Sequence, residues 1–237
     1  MACKRCGSLD TIKAHLLPQT FTKEVLDVGR QDIVMTDAKA RWSGLTKSGY
    51  YDPDLLCGQC DAELGKFENA MAIGLRKIRS EIAQYPKDRL CTFEGFSGED
   101  TLKAICGIVW KYCKTGRPEA IEIGPYSDIL FDYVFRGEDP GPKVDAFLVK
   151  YFSREDEAYF FKAPSPSRYD GVNFVRFSVA DFGVFLKTDK RPARLCSLAG
   201  LKGKSAIRVW HGDRDQFEDA NFAWKNADSR VRRFLRK

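Results

Sequence analysis

The sequence predicts an α+β protein in which a cysteine-held N-terminal module is followed by helices and then by a domain with an antiparallel β-sheet. Three observations support this fold class. Two CxxC pairs stand far apart near the start of the chain. Helical periodicity follows the second pair and returns over residues 99–115. The later part of the chain carries short runs rich in Val, Phe and Tyr, separated by turn residues.

The composition is typical of a folded protein. The chain has 237 residues, of which 43% are hydrophobic and 30% charged, so it can bury a core as one domain or as two small ones. Its 39 Lys and Arg residues exceed its 33 Asp and Glu residues only modestly, which permits an acidic partner without requiring one. We find no secretory signal and no run of about 18 apolar residues, so we expect a cytoplasmic protein with no membrane partner.

Four of the eight cysteines are candidate metal ligands. Cys3 and Cys6 form one CxxC pair, and Cys57 and Cys60 form the second. In a reducing compartment such pairs more often hold metal than form disulfides, and together they supply a tetrahedral thiolate set for one structural Zn²⁺. The other four are expected to be small buried hydrophobic residues: Cys91, Cys106, Cys113 and Cys196.

The elements of the N-terminal module follow from this pattern. Residues 1–20 are predicted to form a zinc knuckle and a strand that ends at Pro18, and residues 21–49 an insertion with a hairpin. From Cys60, apolar residues recur at steps of three or four, which predicts a helix to about Ala83. Residues 92–98 look like a polar connection. We therefore predict two domains, 1–90 and 91–237.

The second domain is predicted to begin with a helix over 99–115, capped by Ser97 or Asp100. Four segments then have the composition of an antiparallel meander: 144–152, 157–163, 172–178 and 182–188. Their phenylalanines are interpreted as core, with base stacking as the less favoured alternative. A further strand is predicted over 205–210, followed by a polar turn at His211–Asp215 that offers either a turn or a metal-binding group.

The chain ends in a strongly basic tail. Its five cations are Arg230, Arg232, Arg233, Arg236 and Lys237. They are candidate nucleic-acid-binding residues because cationic side chains contact phosphates. A solvated helix end whose cations complement the helix dipole is the alternative.

The motifs around the two cysteine pairs resemble the treble-clef layout of zinc-stapled HNH nucleases, including a loose group of bacterial and phage HNH-like proteins. The resemblance covers the N-terminal third. It lies in the knuckle, the run Ala14-His15-Leu16-Leu17-Pro18, the Tyr51-Asp52 approach and the CxxC helix with Asp61. It implies that His15 is a general base, that Asp52 stands where the family has an asparagine, and that Asp61 stands where the helix histidine often is. A catalytic Mg²⁺ or Mn²⁺ is then expected beside the structural Zn²⁺.

Two features depart from the family pattern. Ala14 precedes His15 where active members commonly have a metal ligand, and the predicted metal helix has no histidine. His15 is alternatively a half-buried residue bonded to a main-chain carbonyl, and Asp52 with Asp54 alternatively caps a turn.

Three functions therefore stay open: a metal-dependent nuclease acting on DNA or RNA, a non-cleaving nucleic-acid binder, and a protein-interaction module such as an inhibitor or adaptor in phage–host conflict. Nothing in the sequence assigns an oligomeric state.

Overall fold

The computed structural model describes residues 2–26, 33–37, 42–46, 49–152 and 160–213. The fold is α+β, as the sequence predicts. Its helices are α1 (Gln19–Leu26), α2 (Gly58–Glu81), α3 (Gly98–Lys114), α4 (Tyr126–Phe131) and α5 (Arg194–Ala199). Its strands are β1 (Thr11–His15), β2 (Ile33–Asp37), β3 (Trp42–Thr46), β4 (Tyr51–Cys57), β5 (Arg89–Glu94), β6 (Val144–Phe152), β7 (Phe160–Tyr169), β8 (Val172–Val179), β9 (Phe182–Thr188) and β10 (Ala206–Asp213).

The N-terminal module consists of the Cys3–Cys6 turn, an antiparallel strand pair and a long helix. Strand β1 pairs with β4, with Thr11 opposite Cys57 and His15 opposite Tyr51. Helix α2 begins directly after β4, at Gly58. This order of turn, strand pair and helix brings the two cysteine pairs to one place.

The large sheet has eight strands in the order β3-β2-β7-β8-β9-β6-β10-β5. Strands β7, β8 and β9 pair antiparallel in sequence order, as expected for the predicted meander. The first predicted strand of the meander, β6, pairs antiparallel with β9 instead of with β7, so the four strands do not follow one another in sequence order. The sheet as a whole is mixed, because β2 pairs parallel with β7 and β10 pairs parallel with β6. The strands of each parallel pair are distant in sequence, so no local hairpin motif in the sequence predicts their pairing.

Two parts of the chain join the sheet in ways that concern the predicted domain boundary. The expected hairpin within 21–49 is present as β2 and β3, and it extends the sheet at one end. Part of the predicted polar connection over 92–98 instead belongs to strand β5, which pairs with β10 at the other end. In β5, Cys91 and Phe93 are buried while Arg89, Thr92 and Glu94 are exposed. The division at residue 90 itself stays a prediction.

Helices α2 and α3 pack against each other and contribute to the core that includes one face of the sheet. Helix α3 begins as predicted, with the Ser97 hydroxyl accepting a hydrogen bond from the Asp100 main-chain N–H at 3.0 Å. Gly98 lies so close to the 201–204 loop that a Cβ atom there would approach the Leu201 carbonyl oxygen to 2.3 Å. Among the helices that the structure describes, none has both the length and the apolar character needed to cross a membrane.

The strand phenylalanines are core residues wherever the structure describes their side chains. Phe161, Phe174, Phe177 and Phe182 are at most 3% exposed, and Phe185 packs against a second apolar cluster on the other face of the sheet. This burial confirms the core interpretation and leaves the four buried rings closed to a nucleobase. Cys91 and Cys106 are likewise buried, while Cys113 and Cys196 are half-buried against apolar neighbours.

An acidic side chain at the turn between β8 and β9 ties α2 to the sheet. Asp181 accepts hydrogen bonds from the Arg79 guanidinium, with Nη2 2.8 Å from Oδ1, and its Oδ2 lies 3.0 Å from Lys150 Nζ. Both oxygens of the Asp181 carboxylate take part in these part-buried, charge-assisted interactions. They therefore fix the angle at which the end of α2 meets the sheet.

Candidate metal centre and the His15 site

The four predicted zinc ligands come together at the start of α2. The Sγ atoms of Cys3, Cys6, Cys57 and Cys60 all lie within 4.8 Å of one another. The Cys6 and Cys57 sulfurs are 3.7 Å apart. A tetrahedral ion with metal–sulfur bonds of about 2.3 Å separates its ligand sulfurs by about 3.8 Å. The cluster can therefore hold a metal ion such as Zn²⁺.

Local backbone geometry brings the sulfur atoms of both cysteine pairs together. The Gly7 N–H donates to the Cys3 carbonyl oxygen at 2.9 Å, and Gly7 adopts φ +78°, a left-handed conformation that suits glycine and turns the chain around the pair. Cys57 ends β4, and Cys60 lies in the first turn of α2. The pairs are thus held by a tight turn on one side and a strand-to-helix junction on the other.

The electrostatics of the cluster favour a bound cation. Burial acts to raise the pKa of Cys3, but main-chain hydrogen bonds from Cys6, Cys57 and Arg5 outweigh it and lower that pKa to about 6. Burial raises the pKa of Cys60 to about 12, and the neighbouring cysteines add to this effect while Arg5 opposes it. Four thiolates this close repel one another unless a positive ion compensates, which is the chemistry of a Cys₄ metal site.

Arg5 links the first cysteine pair to α2 from outside the cluster. Its Nη1 lies 3.4 Å from the Cys60 sulfur, and its guanidinium forms a two-bond ion pair with Glu63, with Nη2 2.9 Å from Oε1. The guanidinium carbon is also 4.5 Å from the centroid of the Phe135 ring. Arg5 therefore supports the cluster and connects it to the segment after α4.

His15, the predicted general base, is half-buried at the end of β1. Its main-chain carbonyl accepts a hydrogen bond from Lys111 Nζ at 2.6 Å, and the same ammonium lies 2.8 Å from Glu68 Oε1. Burial lowers the pKa of the His15 imidazole, the Lys111 charge lowers it further, and Asp61 acts in the opposite direction. The surroundings of His15 therefore favour the neutral imidazole, and Asp61 is near enough to interact with it electrostatically.

Asp52 lies on the other side of the strand pair from His15. It stands opposite Ala14, which is fully buried, whereas His15 stands opposite Tyr51, and adjacent strand positions face opposite ways. The Asp52 carboxylate accepts hydrogen bonds from the Thr115 hydroxyl at 2.5 Å, the Gly116 N–H at 3.1 Å and the Asp54 N–H at 2.8 Å.

These bonds also govern the ionisation of Asp52. Burial acts to raise the pKa of this carboxyl, but the three donors outweigh it and lower the pKa. The carboxylate joins β4 to the end of α3, so the structure shows it in the role of a buried anchor.

The structure thus places His15 near Asp61, whereas Asp52 lies on the opposite side of the β1–β4 pair. Among the described residues, the four cysteines are the one group of three or more His, Cys, Asp or Glu side chains close enough to hold a metal ion. His211 is buried within β10 rather than in a polar turn, and Arg230, Arg232, Arg233, Arg236 and Lys237 lie outside the described residues.

Sequence reasoning missed the Lys111–Glu68 pair and Arg5. One signal was present: Glu68 falls four residues after Leu64 and four before Ala72, on the apolar side of α2, where a carboxylate needs a buried partner. Nothing in the helical pattern of α3 marks Lys111 as that partner.

Comparison with known proteins found no match among family models, curated proteins or solved structures.

Proposed function

We propose that this chain is a zinc-stapled, HNH-like cytosolic protein that acts on nucleic acid, with His15 as the general base of a metal-dependent phosphodiester cleavage. The observation that carries the proposal is the state of His15. It is half-exposed, its surroundings lower its pKa and so favour the neutral imidazole, and it interacts electrostatically with Asp61 at the start of the helix that bears the second cysteine pair. A neutral imidazole with access to solvent is suited to accept a proton from water.

Each part of the site has a distinct role in this proposal. A Zn²⁺ held by the four cysteines is structural and fixes β1 against the start of α2. Asp61 offers oxygen ligands of the kind that Mg²⁺ and Mn²⁺ prefer, and such an ion, when bound, supplies charge stabilisation to the leaving oxygen. His15 takes the proton of the attacking water. The basic tail is assigned to phosphate contacts.

A plasmid-nicking assay tests the cleavage. Purified protein with Mg²⁺ or Mn²⁺ should convert supercoiled plasmid to the open form, and His15→Asn should abolish this because asparagine accepts no proton. Asp61→Asn should reduce it strongly, whereas the matched change Asp10→Asn, at an exposed carboxylate outside the site, should leave the rate unchanged. Full activity of the His15→Asn protein, or no cleavage of either plasmid or single-stranded DNA with either ion, would reject the nuclease.

The second candidate is a catalytically inactive module that binds nucleic acid or a protein, for instance an inhibitor or adaptor in phage–host conflict. The commitment of Asp52 to three structural hydrogen bonds favours it, because the carboxylate is not turned toward His15. Exposed apolar side chains beside the knuckle, Leu9 at 85% and Ile12 at 40%, offer contacts for a protein. Recovery of one stoichiometric protein partner without nucleic acid would select the protein-binding form.

A further inference from the structure

One face of the β1–β4 pair carries an exposed aromatic ring flanked by cations, beside His15. Tyr51 is 38% exposed and stands directly opposite His15, with ring centroids 6.3 Å apart. The Lys13 ammonium lies 5.5 Å from the centre of the Tyr51 ring, and Lys13 is itself exposed. We call Lys13, His15 and Tyr51 the hairpin face.

Among the described residues, further cationic side chains lie near the hairpin face. Arg117 donates from Nη1 to the Tyr51 carbonyl oxygen at 3.2 Å, and its guanidinium carbon lies 5.4 Å from the centroid of the Tyr50 ring. Lys23 is exposed on α1 and close enough to act on the charge state of His15. Acids of the described part also lie nearby, including Asp61, whose charge acts on His15, and Glu119, whose carboxylate is paired with Arg117 at 3.1 Å. Lys13 and Lys23, both exposed, give the described part of this surface positive charge that suits a polyanion.

We infer that the hairpin face binds a nucleic-acid strand with unpaired bases, one base stacking on Tyr51 while its flanking phosphate pairs with Lys13. The inference rests on the proposed function for the class of ligand and adds the form of the substrate. An exposed ring beside mobile cations is the pattern of single-strand sites, where bases stack on aromatic side chains and lysines follow the backbone. A duplex keeps its bases stacked inside, where the Tyr51 ring has no access to their faces.

Binding requires a base to displace the Lys13 ammonium from the Tyr51 ring, and the geometry allows this displacement. Lys13 is a long exposed side chain whose contact with the ring is a weak surface interaction, so a base can replace the ammonium over the Tyr51 ring. The released ammonium then lies within reach of the adjacent phosphate. Tyr51 itself is fixed, because its strand is paired with β1 and its carbonyl is held by Arg117.

Fluorescence anisotropy with labelled oligonucleotides tests the inference, using zinc-loaded full-length protein without added Mg²⁺ or Mn²⁺. A single-stranded 20-mer of DNA or RNA should bind at least about tenfold more tightly than the matching duplex. Tyr51→Leu should weaken single-strand binding about tenfold, and Tyr51→Phe should retain it because the ring remains. The control Tyr169→Leu removes another exposed strand tyrosine, 56% exposed in β7, and should change nothing.

Salt dependence tests the phosphate contact separately. Lys13→Ala should reduce the slope of log affinity against log salt by about 0.7, the value for one phosphate of a single strand, and the exposed Lys204→Ala should leave it unchanged. Equal affinity for duplex and single strand, or unchanged binding by Tyr51→Leu protein with normal zinc content, would overturn the inference.

The outcomes separate this inference from the nuclease proposal. Tyr51-dependent binding of a single strand without cleavage would retain the inference and reject the nuclease. If the protein cleaves plasmid and Tyr51→Leu leaves the cleavage rate unchanged, the nuclease proposal is retained and the inference about Tyr51 is rejected. Failure to bind any oligonucleotide at low salt would reject both, and would point to the protein-binding form of the second candidate.

Discussion

The Lys111 ammonium donates a hydrogen bond to the main-chain carbonyl of His15 at 2.6 Å, although 96 positions separate the two residues in sequence. The same ammonium pairs with Glu68 on α2 at 2.8 Å, and the Lys111 side chain is only 1% exposed. One buried cation therefore connects the end of β1, α2 and α3. Its charge also lowers the pKa of His15, in addition to the larger effect of burial, and so favours the neutral form of the proposed base.

Removing one member of this buried pair should be costly. Lys111→Met leaves the Glu68 carboxylate buried and unpaired, and we expect the free energy of unfolding to fall by about 3–5 kcal/mol in urea denaturation. The double change Lys111→Met with Glu68→Leu should recover much of this loss, because no unpaired charge remains.

An exposed pair on the same helix provides the control for that prediction. Lys77 and Glu81 interact at 2.7 Å with side chains 39% and 35% exposed, so Lys77→Ala should cost only about 0.5 kcal/mol. Similar losses for Lys111→Met and Lys77→Ala would show that burial of the Lys111–Glu68 pair does not matter.

Metal content should depend on the four clustered cysteines and not on the others. We expect about one zinc per chain by elemental analysis. Cys57→Ser or Cys60→Ser should lose it and lower the thermal midpoint, because the ion joins the N-terminal turn to α2. Cys113→Ala, at a half-buried cysteine outside the cluster, should keep it. Zinc retained by the Cys57→Ser and Cys60→Ser double variant would contradict the site.

The two histidines should make the protein less stable in mild acid. Burial lowers the pKa of His15, with Lys111 adding to the shift, and burial followed by Lys150 lowers the pKa of His211. Both folded values lie below 6.5, so the stabilisation from the neutral rings is complete above pH 6.5 and is lost as the pH falls through the folded pKa values.

Urea midpoints at pH 7.5 and pH 5 measure this loss. The His15→Asn protein should lose less stability than wild type over that interval, because one of the two groups no longer takes up a proton on unfolding. Since the chain has only two histidines, each imidazole signal can be assigned by substitution and titrated by NMR. A His15 midpoint above 6.5 would be inconsistent with the described surroundings.

Asp52 should matter for stability rather than for cleavage. Asp52→Ala removes the acceptor for Thr115, Gly116 and Asp54, and we expect a loss of about 1–3 kcal/mol in the free energy of unfolding. Any nuclease activity measured well below the lowered melting temperature should persist. Abolished cleavage with unchanged stability would instead give Asp52 the role that the HNH resemblance implies.

The sequence was most informative where an interaction is short-range or set by covalent spacing. The CxxC pairs, the apolar stripe of α3 and its Ser97 cap are read within a few residues, and each is found as predicted. Strand β5 was missed because its residues look like a polar loop by themselves. The alternation of buried and exposed residues in β5 follows from its pairing with β10, which lies more than a hundred residues later in the chain.

The sequence by itself determined that this is an α+β chain with four cysteines spaced for one metal ion and with His15 close to the first pair. Only the tertiary structure decided which side chains share a surface. The register of β1 on β4 places Tyr51 beside His15 and turns Asp52 into the interior, and the crossing of α2 and α3 brings Lys111 under His15. The physical reason is that strand register and helix packing depend on contacts between distant segments, whereas motif spacing is fixed along the chain.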